Sequence, residues 1–242
     1  MSTVPPDVVK NLAPTGKLRA AINLGNPVLA QKDPAGGDPK GVTADLAREL
    51  AKRAGVPLEF VTFDAAGKVF DALKTGAWDI AFLAIEPVRA AEIDFTAPYV
   101  IIEGVYMVPK DSGLKSVADV DRAGVRIGVN KGSAYDLFLT RSLKNATLVR
   151  SDDGVETFIA DKLEAAAGVK QPLVAYAKSN PKVRVMDGRF MEIRQAMGVP
   201  KGRVTAAGWL RGFIEEMKAS GFVAEGLKRS GQPDAAVAPP GV

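Results

Sequence analysis

The chain has 242 residues, 47% hydrophobic and 25% charged, a balance that sustains a folded core and excludes a disordered chain. Cys and His are both absent, which excludes zinc sites of the Cys/His kind, catalytic thiols and Ser-His triads. Lys and Arg total 32 against 28 acids, a net charge of +4, but the basic residues are scattered, so no nucleic-acid partner is expected.

The chain opens Met1-Ser2-Thr3-Val4-Pro5-Pro6-Asp7, which has neither the basic nor the apolar region of a secretory leader. A periplasmic location is expected if a leader has been removed, and a cytoplasmic one is the alternative. No run of about eighteen apolar residues occurs, so no membrane-spanning helix is predicted. Residues 18–24 read as a first buried strand, followed by a Pro/Gly/Asp-rich loop over 32–40. Thr43 reads as the N-cap of a helix through Ala54, with Leu46, Ala47, Leu50 and Ala54 on one face and Gly55 as its stop. Strands are predicted over 58–63 and 78–84 with a helix over 68–74 between them, and an apolar run over 100–108 ends at Pro109.

A similar series then restarts. Helices are predicted over 117–121, 134–143, 154–160 and 172–178, and strands over 125–129, 148–150, 163–168 and 183–185. Helices over 205–218 and 222–229 close the chain, and the end at Ala238-Pro239-Pro240 is expected to be loose. Two βαβ series of about 100 residues each indicate an α/β protein of two lobes, with ligands at strand carboxyl ends and helix starts.

Several segments together resemble the family 3 solute-binding proteins, the amino-acid-binding partners of ABC transporters. Gly16-Lys17-Leu18-Arg19-Ala20-Ala21 is similar to that family's first strand, and Gly41-Val42-Thr43-Ala44-Asp45-Leu46 to its next strand-to-helix turn. Gly76-Ala77-Trp78-Asp79-Ile80, then Arg89, then Ile93-Asp94-Phe95-Thr96-Ala97-Pro98-Tyr99 matches its central block. Residues 125–133 and 215–221 resemble two further segments, so the ordered set covers nearly all of 16–230. The resemblance implies a two-lobed type II periplasmic-binding-protein architecture with two crossing hinge strands, lobe 1 being 1–108 and 199–242 and lobe 2 being 109–198.

Arg89 is the first binding candidate, because a planar guanidinium offers a carboxylate a bidentate fork. Chemistry alone favours a surface Arg meeting Glu92 by an i,i+3 contact; the resemblance reverses this and gives Arg89 the ligand's α-carboxylate. Gly132-Ser133 is the second: between a strand and a helix it presents free backbone N–H groups and a hydroxyl, the second lobe's grip on the same carboxylate. The alternative is that Ser133 only caps its helix.

Departures from the family pattern bear on the ligand. Where an Asp usually takes the ligand's ammonium, this chain has Lys170 or Gln171, so an ordinary α-amino acid held in the ordinary way is not expected. Lys170 points either to a second anionic or carbonyl group on the ligand or to solvent. The segment containing Ala84 lacks the hydroxyl that joins the Arg, and Pro27-Val28-Leu29 replaces an aromatic clamp, so Leu29 implies aliphatic contacts and a small or oxygen-rich ligand. Glu86 and Glu103 remain as cleft acids. Glu103 either pairs with Lys170 across the cleft, takes a ligand ammonium, or faces solvent. For Asp45 a structural role at its helix start is expected.

The implied function is capture of a small carboxylate-bearing solute by hinge closure, by a monomer serving an ABC transporter permease, without cofactor, metal or catalysis. Two alternatives differ in class. A dehydratase on the same fold needs a cleft acid that is missing beside Lys170-Gln171-Pro172-Leu173. A cytosolic sensor, similar to the effector lobes of LysR-type regulators, needs a separate output partner.

Overall fold

A computed structural model describes residues 3–241. The chain divides into two compact units, one holding residues up to Ile101 and from Arg194 onward, the other Ile102–Ile193. Both passages lie inside strands, where the sequence reading drew them at 108/109 and 198/199. No Pro, Gly or polar cluster at Ile101-Ile102 marks the crossing.

The first unit opens with α1 (Pro6–Leu12), whose Pro6 suits a first helical turn but whose seven residues are too few to show a helical period. It continues through β1 (Leu18–Asn23), α2 (Val42–Ala54), β2 (Leu58–Phe63), α3 (Ala66–Ala72), β3 (Ile80–Ala84), α4 (Pro87–Ala90) and the start of β4 (Ile93–Pro109). The N-cap of α2 is Gly41, not Thr43. Gly41 has φ 112°, and a Cβ there would lie 2.4 Å from the Leu29 carbonyl oxygen. Thr43 is the second helical residue and donates its hydroxyl to that same carbonyl at 3.2 Å.

The second unit holds β5 (Arg126–Asn130), α5 (Ala134–Ser142), β6 (Thr147–Ser151), α6 (Gly154–Ala160), β7 (Ala165–Val169), α7 (Lys170–Ser179) and β8 (Val183–Val185). The chain returns through β9 (Met191–Pro200), a strand absent from the sequence reading because Glu192, Arg194 and Gln195 break its apolar pattern. Then follow α8 (Val204–Ala219), α9 (Phe222–Arg229) and β10 (Ala236–Val237).

In the first unit β1 runs parallel to both β2 and β3, and β9 is antiparallel to β3. Every residue of β3 is buried, the mark of a strand covered on both faces. Its core gathers Ala21, Val69, Trp78, Ala81, Leu83 and Ile93, and the Trp78 indole N–H donates to the Val69 carbonyl at 2.9 Å. In the second unit β5 is parallel to β6 and β7, and β7 is antiparallel to β4. Val105, Met107, Phe158, Leu163, Ala166, Leu173 and Val183 form its core. There β5 and α6 touch backbone to backbone: a Cβ on Gly128 would lie 2.3 Å from the Gly154 carbonyl oxygen.

The end of the chain is docked, not loose. Ala236 and Val237 pair with Ile101 and Val100 of β4, and the Ala238 N–H donates to the Tyr99 carbonyl at 3.0 Å. The Lys218 ammonium donates to the carbonyls of Pro98 and Pro239 at 3.1 and 2.9 Å. Proline withholds a donor but leaves its carbonyl, and the carbonyls are what this tail uses.

Asp79, just before β3, has no exposed surface. It accepts the Arg19 backbone N–H at 3.0 Å, the Arg19 guanidinium at 2.9 and 3.0 Å and the Arg203 guanidinium at 3.0 Å. Burial alone would push its carboxyl up, but these bonds together hold it below the usual carboxylate range. A depressed folded value contributes stability above the unfolded value near 3.9 and loses it as pH falls through the folded value. Asp79→Asn is expected to cost about 3 kcal/mol and to flatten the loss of thermal stability below about pH 4; an unchanged melting profile across that range would show that the knot carries no stability.

The ring of Tyr99 is wholly buried, edge-on to Phe82 at 6.1 Å, and its hydroxyl meets no hydrogen-bond partner among the described residues. Burial pushes the phenol well above its ordinary value. Tyr99→Phe is expected to raise the melting temperature, by about 1 kcal/mol of stability, since it removes an unmet polar group. A lowered melting temperature would reveal a buried water on that hydroxyl.

Candidate functional site

The sequence candidates fall into two groups, one in each unit. In the first unit, α4 is a single helical turn between β3 and β4, started by Pro87 and presenting Arg89 as its third residue. Arg89 is 1% exposed, so the reading of it as a surface residue answering Glu92 does not hold. Its Nη1 donates to the carbonyl of Ala84, the last residue of β3, at 3.0 Å. Burial draws the guanidinium down to about 10, with the charge of Glu86 acting the other way, so it stays protonated at neutral pH. Glu86 is itself 2% exposed. Ala84 thus orients the Arg through its main chain, and Leu29, almost wholly buried, serves Thr43 through its carbonyl.

In the second unit, β5 ends at Asn130 and the chain turns through Gly132, at φ 73°, into α5. The amides here are not free. The Gly132 N–H donates to Asp136 Oδ2 at 2.8 Å, and the Ser133 N–H donates to the Asn130 carbonyl at 3.1 Å. Ser133 is the N-cap: its hydroxyl oxygen accepts the Asp136 N–H at 3.1 Å. Burial pushes the phenol of Tyr135, at the second helical position, up to about 12. The donors that helix geometry leaves open are therefore the N–H groups of Ala134 and Tyr135, at the first two helical positions. Spacing alone suggests that the Gly132 and Ser133 amides are free, because it does not reveal that Asp136 reaches back to close the turn.

Glu103 and Lys170 do pair, but inside one unit and not across a cleft. The register of β4 on β7, Gly104 opposite Val169, sets Glu103 beside the first residue of α7. Lys170 Nζ lies 2.8 Å from Glu103 Oε2, and Arg189 Nη1 lies 3.2 Å from Glu103 Oε1, with Arg189 also bridging to Glu192 at 2.8 Å. The hydrogen bond from Lys170, then that from Arg189, holds the Glu103 carboxyl below its ordinary value. Lys170 stays half exposed, whereas the side-chain oxygen of its neighbour Gln171 is buried with no hydrogen-bond partner among the described residues. A surface depression of about 260 Å³ on the first unit, lined by residues including Asp45, Arg48 and Arg229, contains none of these candidates. Asp45 there is bound to Arg229 at 2.9 Å. No helix among the described residues is long and apolar enough to cross a membrane.

Lys170→Met is expected to move the Glu103 titration up toward the ordinary glutamate range, read by carboxyl-carbon NMR against pH. A titration that stays in place would show that Arg189 alone sets it.

The comparisons with known proteins agree with this architecture. The family model of the bacterial extracellular solute-binding proteins, family 3, matches residues 18–231. The amino-acid-binding protein AabA of Dichelobacter nodosus is 27% identical over 113 residues, 46% of this chain and 44% of that protein. The arginine-binding extracellular protein ArtP of Bacillus subtilis is 29% identical over 173 residues, 66% of each chain. The chain therefore spans less than half of the first of these relatives and just under two thirds of the second. Among solved structures, the solute receptor for L-cysteine of Neisseria gonorrhoeae is similar with a TM-score of 0.77 at 28% identity, over 92% of both chains. The fold is that of the type II periplasmic binding proteins.

Proposed function

The chain belongs to the bacterial extracellular solute-binding proteins of family 3, and we propose that it captures a small, carboxylate-bearing solute of the amino-acid class for an ABC transporter permease. The relatives are named for amino acids in general and for arginine, and the similar structure for L-cysteine. Arg89 carries the reading: a buried guanidinium, bonded to the Ala84 carbonyl and charged at neutral pH. A fork fixed in this way recognises a carboxylate by two parallel N–H donors, a geometry lysine cannot copy.

The second contact in this reading is the start of α5, where the Ala134 and Tyr135 N–H groups take the role first given to Gly132 and Ser133. Arg89 and this helix start belong to different units, so one carboxylate joins them only when the units close, and the ligand favours closure by its differential affinity. The unpartnered oxygen of Gln171 is the acceptor for a ligand ammonium or amide, in place of the family's Asp. Lys170, engaged by Glu103, is left as a rim charge.

Thermal melts with each of the twenty L-amino acids test the reading. A ligand at a hundred times its Kd adds about 2.7 kcal/mol, a shift of roughly 5–10 °C for a chain of this length. Arg89→Lys is expected to abolish most of that shift; Lys is chosen because it keeps a cation in the field of the buried Glu86. A full shift in Arg89→Lys would remove Arg89 from the pocket, and no shift with any of the twenty would remove the amino-acid class. Small-angle scattering with the stabilising amino acid should show a smaller radius of gyration, and an unchanged radius would dismiss closure.

A further inference from the structure

We infer that Asp136 and Arg150 form a positioning pair that sets the helix start used by the ligand carboxylate and cancels a charge that would otherwise repel it. The inference rests on the reading above for the ligand, but its geometry stands by itself. Asp136, 3% exposed, lies in the first turn of α5, and its carboxylate accepts the Gly132 N–H at 2.8 Å and Arg150 Nε at 2.9 Å, while the Thr140 hydroxyl donates to the Asp136 carbonyl at 2.7 Å and lies 3.2 Å from the carboxylate. Its own N–H is capped by Ser133. Residues 132 and 136 are thus tied at both ends of one turn, and Gly132 is held at its positive φ.

Arg150 reaches this carboxylate from β6, the parallel neighbour of β5 on which Val129 stands opposite Arg150. Its Nη2 also donates to the Thr140 hydroxyl at 2.6 Å. The helix start is thereby fixed to the strand beside the one that leads into it, which an N-cap alone does not achieve. The pair also decides the field at the open N–H groups. An aspartate at the third helical position favours the helix dipole, but its negative charge stands in the same turn as the Ala134 and Tyr135 donors and opposes any anion they receive. Arg150 neutralises that charge where it is buried, with 5% of the Asp136 side chain exposed, and water screens it least.

Positioning and neutralisation separate by mutation. Arg150→Gln leaves Asp136 ionised and unopposed, and is expected to weaken binding at least about tenfold, measured by calorimetry with the L-amino acid that stabilises the wild type most. Asp136→Asn with Arg150→Gln removes both charges and should recover most of that loss, although it restores no contact. A double variant as weak as the single one would overturn the electrostatic role. Hydrogen exchange on the ligand-free protein reads positioning alone: Arg150→Gln should speed exchange over residues 131–137 at least about tenfold while the first unit stays unchanged. Unaltered exchange there would overturn the positioning role, and Arg150→Lys, which keeps the charge, should fall between Gln and wild type in both measurements. If exchange responds but no amino acid binds the wild type, the positioning pair stands and the functional reading falls.

Discussion

The carboxylate of Asp79 has no surface in contact with water and is met by two guanidiniums and a backbone N–H, and the first unit is assembled around that meeting. Arg19 lies on β1, Arg203 immediately precedes α8 and Asp79 immediately precedes β3, so one acid brings together three segments far apart in sequence. At the other end of β3, Arg89 turns back onto the Ala84 carbonyl. Between them β3 is buried throughout, so slipping its register by one residue would misplace both charged groups at once. The precision of the candidate Arg is in this sense a property of the strand.

The second unit solves the same problem with different partners. Asp136 is its buried acid and Arg150 its cation, and the close backbone contact of Gly128 with Gly154 fixes β5 against α6 just before the turn into α5. The Gly154 N–H donates to the Asn130 side chain at 2.8 Å, so the last residue of β5 is held from a second direction. Each unit thus places a rigid polar group at the carboxyl end of a buried strand, where an α/β sheet presents its open donors. The charge cluster of Glu103, Lys170, Arg189 and Glu192 is of another kind: its members are a third to a half exposed, and water screens them.

The docked tail follows from similar economy of donors. Edge backbone of β4 near Val100 and Ile101 finds its partner in β10, and Pro239, in the segment whose composition suggested a loose end, supplies an acceptor for Lys218. Composition indicated mobility there, yet strand pairing, the Ala238 N–H on the Tyr99 carbonyl and the Lys218 ammonium together hold the segment in place.

The sequence by itself determined the α/β class, most helices and strands, the two-series organisation and Arg89 as the anion-binding candidate. These depend on local period, on Gly and Pro at element ends, and on ordered motifs such as Ile93-Asp94-Phe95-Thr96, all readable along the chain. Tertiary structure alone decided that Gly41 and not Thr43 begins α2, that the Gly132 and Ser133 amides are closed, that Lys170 answers Glu103 within one unit, and that Asp136 meets Arg150. The Gly132 and Ser133 amides are closed by partners 4 and 3 positions away, and the others are fixed by partners between 12 and 67 positions away or by a backbone dihedral that residue identity permits without requiring. Hydrogen bonds and ion pairs act over about 3 Å in space, and strand register, not spacing along the chain, is what brings such atoms together.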